Sequence, residues 1–145
     1  MEERLLSINP NLKIHKKNVM FNASSLDFCF SEKYNYVVDA IDMVTSKTLL
    51  IEHCIKNNIN IVSAMGAGNR KDIPTFKVCN IFKTFNDGLA KVMRKNLKSL
   101  GITKHMCVFT ESLPENCGEE VGSISYYPAM AGCVISAYVI NELIK

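Results

Sequence analysis

Short apolar runs alternate with longer stretches of helical spacing along this chain. Tyr36, Val37 and Val38 form one such run, closed by two carboxylates, Asp39 and Asp42. Apolar runs bounded by polar residues predict buried strands, so residues 36–41 are expected to be one. Behind it, Leu49, Leu50, Cys54 and Ile55 recur near helical spacing. That pattern predicts a helix over 45–58, with Thr45 as its N-cap and Asn57-Asn58 as its end. Residues 59–64 read as the next strand. Phe76, Val78, Asn80 and Phe82 alternate with Lys77, Cys79, Ile81 and Lys83, which predicts a strand over 76–83. Asp87 can cap a helix over 88–100 that Gly101 ends. Its apolar face is Leu89, Val92, Met93, Leu97 and Leu100. Residues 105–110 predict a further strand and 123–127 a short one. Pro128 is placed to start a last helix over 129–144, apolar nearly all round.

Before Tyr36 the pattern is weaker. Residues 1–9 read as the tail of an amphipathic helix, stopped at Asn9-Pro10-Asn11. Leu12, Ile14, Val19 and Met20 among basic residues predict a strand over 12–21. Residues 22–33 are a connection with room for a short helix. Strands alternating with helices argue for a parallel, helix-covered sheet of the α/β class. Ligands meet such sheets at the carboxyl ends of the strands. Asp42 therefore stands where a nucleotide phosphate and its Mg²⁺ could be met, because Mg²⁺ takes one or two carboxylates plus phosphate oxygens. A helix cap is the competing reading of Asp39 and Asp42.

Composition narrows the classes. The chain has 145 residues, enough for one domain with its own core. Hydrophobic residues make up 48% and charged residues 21%, which is a globular profile rather than a disordered one. A net charge of +3 is too small to argue for a nucleic-acid partner by itself. No apolar run approaches the ~20 residues needed to span a bilayer, and MEERLLSINP lacks a signal-peptide pattern. The six cysteines are widely spaced with no CxxC pair, which argues against a zinc ribbon and for reduced thiols in the cytoplasm.

Two further stretches bear on chemistry. Gly66 and Gly68 in MGAGN permit positive φ or close backbone approach. This is not GxGxxG, and a structural turn is expected. Lys91, Arg94, Lys95 and Lys98 fall on one stripe of the helix over 88–100. The stripe is either a solvated face or a contact for a phosphate backbone. His15, His53 and His105 are scattered without metal-ligand spacing, and no Ser-His-Asp or Cys-His constellation is inferable.

The segments ERLLSINP at 3–10, YVVDAIDMVTSKTLLIEHC at 36–54, GAGNRKDIPTFKVCNIFKT at 66–84, LAKVMRKNLKSLGI at 89–102 and GSISYYPAMAGCVISAYVINELI at 122–144 resemble, in order, the ThiF/MoeB/HesA family of adenylating enzymes. Within it, the resemblance runs to the tRNA threonylcarbamoyladenosine dehydratase branch. The resemblance implies a partial Rossmann-like parallel sheet flanked by helices, with an irregular C-terminal half, in a single ThiF-like domain. It implies ATP and Mg²⁺ as cofactors, tRNA as partner, and a homodimer. In the implied reaction, ATP adenylates the carboxylate of a threonylcarbamoyl group on tRNA, and ring closure expels AMP. Asp42 matches the second aspartate of the family's DxxD, which faces Mg-ATP, and Asp39 matches the first. Lys47 is near enough to meet a phosphate. The absence of CxxC pairs favours the dehydratase branch over the sulfur-carrier activators. No cysteine lies between Thr84 and Arg94, so a thioester mechanism is not supported there, and Cys107, Cys117 and Cys133 read as structural.

The family's glycine-rich nucleotide loop precedes the segment that matches MEERLLSINP. A βαβ unit is therefore expected to be missing, with only part of an ATP site present, unless a separate chain supplies the rest. Two alternatives follow: a carrier-protein adenylyltransferase of the same superfamily, or a non-catalytic dimerisation or interaction module. A dehydrogenase is disfavoured because the dinucleotide fingerprint is absent.

Overall fold

The computed structural model describes residues 1–115 and 121–145, which form two compact units, Met1–Glu32 and Lys33–Lys145. The first unit holds α1 (Glu2–Ile8) and α2 (Leu26–Cys29). The strand expected over 12–21 does not form. Leu12, Val19 and Met20 are exposed, and no strand pairs with this segment among the described residues. An alternating pattern makes a strand only where a neighbouring strand takes up its N–H and C=O groups. Here Lys17 anchors the segment instead, donating to the carbonyls of Phe28 at 2.7 Å and Cys29 at 3.1 Å.

The second unit is an α/β layer structure. Its strands are β1 (Val37–Asp39), β2 (Ile61–Ala64), β3 (Phe76–Asn80) and β4 (Met106–Thr110), in the order β1-β2-β4-β3. β1, β2 and β4 run parallel, with Asp39 beside Ser63 and Ser63 beside Cys107. β3 is antiparallel to β4 and stops at Asn80, where a 3₁₀ turn over Ile81–Lys83 replaces the end of the expected strand. The Asn80 side chain accepts from the Phe82 amide and so starts that turn.

The helices are α3 (Val44–Lys56), α4 (Gly88–Ser99) and α5 (Tyr126–Leu143). α5 packs on one face of the sheet, where Val62 and Val108 meet Ala131 and Ile135. Each fully buried Val or Ile of this kind contributes roughly 1.5–3 kcal/mol. Side chains alternate along a strand, so Asp39, Ser63 and Cys107 lie on the opposite face, towards α3.

The helix ends follow their residues. Asp87 caps α4, its Oδ1 accepting from the Ala90 amide at 2.9 Å. Gly101, at φ 73°, ends it, with Ile102 N donating to Leu97 O and Gly101 N to Lys98 O. This is a Schellman motif. Asn58, at φ 55°, closes α3 in the same way, with Ile59 N on Cys54 O.

Several expectations need correction. Thr45 does not cap α3. The N-cap is Met43, which makes no side-chain cap bond, and Thr45 lies inside the first turn. Residues 123–125 form no strand, and α5 begins at Tyr126, two residues before Pro128. A proline is tolerated anywhere in the first helical turn because those amides lack intrahelical acceptors. On α4 the buried side chains are Ala90, Met93 and Leu97, while Val92 and Leu100 are exposed. β1 is an edge strand, and Val38 is 48% exposed rather than buried.

Candidate functional site

A cleft of about 920 Å³ opens at the carboxyl ends of β1 and β2. Val38, Ala40 and Asp42 from the end of β1 line one side, and residues 64–70 line another. The start of α4 and the small residues Ala131, Gly132 and Ser136 of α5 complete it. Asp42 is exposed here, just ahead of α3.

Asp39 and Lys47 are not in the cleft. Both side chains are wholly buried, and Lys47 Nζ lies 2.8 Å from Asp39 Oδ2. The rest of the arrangement centres on Ile41. Asp39 Oδ1 accepts from the Ile41 amide at 3.0 Å, and Lys47 Nζ donates to the Ile41 carbonyl at 2.9 Å. The DxxD spacing thus splits its two aspartates between different tasks, one turned inward beneath the loop and one presented to solvent. Lys47, expected near a phosphate, is spent inside the protein.

The same interior holds His105 and Ser63. His105 Nε2 lies 2.7 Å from Ser63 Oγ. Burial, reinforced by the Lys47 charge, pushes the His105 imidazole down to about 4. Burial pushes the Cys107 thiol well up, so it is a poor nucleophile. Cys133 is exposed on α5, and Cys117 lies outside the described residues.

The glycine turn is held by side chains that sequence reasoning passed over. Buried Arg70 donates to four carbonyls: Gly66, Gly68, Asn86 and Ser112, at 3.0–3.1 Å. One guanidinium thereby ties together the loops after β2, before α4 and after β4. Asp87, besides capping α4, accepts from the Gly66 amide at 2.9 Å. Asn69 takes φ 55°, and its Oδ1 accepts from the Gly122 amide. Gly68 is needed for close approach rather than for positive φ, since a Cβ there would lie 2.5 Å from Val121 Cγ1. The available signal was an arginine directly behind a small-residue turn, which is too common to assign from sequence.

The basic stripe is only partly assembled. Lys91, Lys95 and Lys98 are exposed on α4. Arg94 is half-buried and turned inward, donating to the Thr84 carbonyl at 3.0 Å and also to the Thr84 hydroxyl.

Mg²⁺ fits this site through one carboxylate. Asp39 is committed to Lys47, and Asp87 to the Gly66 and Ala90 amides. Asp42 is left to face the cleft, and one carboxylate plus phosphate oxygens suffices for Mg²⁺.

The mostly parallel sheet carries its cleft at the strand ends, with Asp42 at the wall. The ThiF family model covers residues 1–145, and the chain belongs to that family. Among curated relatives, the tRNA threonylcarbamoyladenosine dehydratase of Bacillus subtilis is 29% identical over 164 residues, covering all of this chain and 65% of that protein. The tRNA threonylcarbamoyladenosine dehydratase of Escherichia coli is 36% identical over 122 residues, covering 78% of this chain and 46% of that protein. The crystal structure of the E. coli enzyme in complex with ATP superposes with a TM-score of 0.90 at 30% identity, over 99% of this chain and 61% of that one. Its AMP complex gives 0.89. The chain thus spans less than two thirds of the length of these relatives. Among the described residues, no helix is long and apolar enough to cross a membrane.

Proposed function

We propose that this chain forms part of the nucleotide site of a cytoplasmic tRNA threonylcarbamoyladenosine dehydratase, within a single ThiF-like domain. The observation that carries this reading is Asp42, exposed at the wall of the strand-end cleft in a chain that matches the family throughout. In the proposed reaction a carboxylate oxygen of the threonylcarbamoyl group bonds to the α-phosphorus of ATP, and pyrophosphate leaves. Ring closure then expels AMP. Asp42 would hold Mg²⁺, which offsets the charge that builds on the pyrophosphate. The small cleft-lining residues of α5 leave room for a bulky ligand. Asp42→Asn in an enzyme of the relatives' full length should lower ATP–pyrophosphate exchange by on the order of a hundredfold, since such metal contacts are worth several kcal/mol. The melting temperature should stay unchanged. Undiminished exchange would show that Asp42 serves only the loop.

The tRNA would be met by Lys91, Lys95 and Lys98, with Arg94 contributing charge but not a free side chain. These positions span about 10 Å at 1.5 Å per residue, comparable to a few phosphates on one strand. Lys91→Glu with Lys98→Glu should therefore flatten the dependence of tRNA affinity on salt, by roughly one unit of logarithmic slope per lost phosphate contact. An unchanged slope in filter binding would leave the stripe as a solvated face.

The reading also includes a homodimer. Only Tyr127, Ala131 and Ile135 of α5 are buried, while Met130, Ile140 and Leu143 are exposed on a helix that is apolar nearly all round. Exposed apolar area of that kind marks an interface. Light scattering at micromolar concentration should give twice the chain mass of 16.3 kDa. A single-chain mass would count against the dimer.

A further inference from the structure

We propose that Asp39 and Lys47 are positioning residues, a buried clamp that fixes the backbone of Ile41 and so sets the direction in which Asp42 faces the cleft. Its use in catalysis rests on the nucleotide reading above, but the clamp itself can be tested apart from it.

The geometry argues for more than a stray buried ion pair. Both peptide groups that flank Ile41 are engaged from the same two side chains, the amide by Asp39 Oδ1 and the carbonyl by Lys47 Nζ. Asp39 Oδ2 closes the triangle as an ion pair with Lys47 Nζ at 2.8 Å, without the alignment of a hydrogen bond. The carbonyl held by Lys47 belongs to the very peptide unit whose nitrogen is that of Asp42, so fixing it fixes the plane from which the Asp42 side chain leaves. Lys47 reaches this point from α3, and Asp39 from the end of β1. Strand end and helix start are thereby locked to each other across the loop that carries Asp42. Hydrogen bonds to charged groups are stronger than neutral ones, and none of these groups is exchanged with water, because both side chains are fully buried. A hydrophobic pair of similar volume would fill the same space, and replacing a buried ion pair in this way is often neutral for stability. It would not hold either side of Ile41. Stability and positioning can therefore be separated.

The test compares the chain with its Asp39→Leu/Lys47→Met variant. Amide exchange at Ile41 and ¹⁵N relaxation at Asp42 are read by NMR, with the amides of β2 and β4 and the melting temperature as controls. In the variant the Ile41 amide should exchange at least about tenfold faster, the loss expected when a charge-assisted bond is removed. Asp42 should become more mobile than β1 while the controls hold. Mn²⁺–ATP then serves as a paramagnetic probe. It should broaden residues 40–43 of the parent at millimolar concentration, and the variant should need at least about ten times more. If Ile41 stays protected and Asp42 stays ordered in the variant, the clamp is overturned, whatever Mn²⁺–ATP does. If the clamp signals respond but the parent shows no broadening, positioning stands and the nucleotide reading falls. Should the Leu/Met variant fail to fold, Asp39→Asn/Lys47→Met keeps an acceptor for the Ile41 amide but no donor for its carbonyl. Unaltered order at Asp42 in that variant would equally overturn the proposal.

Discussion

Lys47→Met should destabilise the protein by about 3–5 kcal/mol, the usual consequence of deleting one partner of a fully buried ion pair. The cost comes from the carboxylate left behind. Asp39 is inaccessible to water, and with Lys47 gone it keeps only the Ile41 amide as a donor. Desolvation of an ion without a counter-charge outweighs the packing that methionine recovers. For a chain of this size the loss corresponds to roughly 10–16 °C in melting temperature. Asp39→Leu/Lys47→Met should regain most of it, because the charge is removed together with its partner. Thermal melts of the two variants check both statements. A Lys47→Met protein as stable as its parent would mean that water reaches the pair.

The second large effect concerns pH. In the folded protein His105 is held neutral down to about pH 4, by burial first and the nearby Lys47 charge second. In the unfolded chain its imidazole returns to the ordinary value of 6.5. Between those values the unfolded state binds a proton that the folded state refuses. Stability is therefore intact above about pH 6.5 and falls as the pH drops towards 4. At about 1.4 kcal/mol per pH unit the loss attributable to this residue is about 3 kcal/mol at full extent. Urea unfolding at pH 7 and pH 4.5, run beside His105→Gln, isolates it from the carboxylates. Glutamine can still bond Ser63 Oγ but takes up no proton in this range. The variant should show a shallower acid loss, and equal losses in the two proteins would remove His105 as the cause.

The parts of the fold legible in the sequence were those decided locally. Asn58 and Gly101 ended helices because few residues tolerate left-handed backbone, and Asp87 capped α4 through a bond only three residues long. The central strands were legible because Val62 and Val108 sit in short apolar runs that can only be interior. What failed was decided at a distance. The segment 12–21 has the alternation of a strand but pairs with no strand among the described residues. Tyr126 and Tyr127 looked like strand residues, yet Tyr127 is the most voluminous of the fully buried side chains, placed where its hydroxyl reaches Asp72 and Ser112 at the head of α5.

The candidate site divides the same way. The exposed position of Asp42 at the strand-end cleft was legible from its place after an apolar run. Lys47 was not, because a lysine in the first turn of a helix ordinarily points to solvent. Only the packing of α3 on β1 turns it inward to Asp39. The inward turn of Arg94 was equally hidden, since three lysines of the same stripe remain outside.

Arg70 has a consequence for how this cleft can vary. Its donors lie in one rigid plane, and their acceptors come from three separate chain segments, at Gly66 and Gly68, at Asn86 and at Ser112. A planar head with fixed angles cannot follow one segment without abandoning the others. The three loops therefore behave as a single jointed frame rather than as independent surfaces. A residue inserted into one of them displaces acceptors belonging to the other two. A substitution on the cleft wall should leave this frame standing, whereas an insertion at Gly66–Gly68, Asn86 or Ser112 should loosen all three loops together.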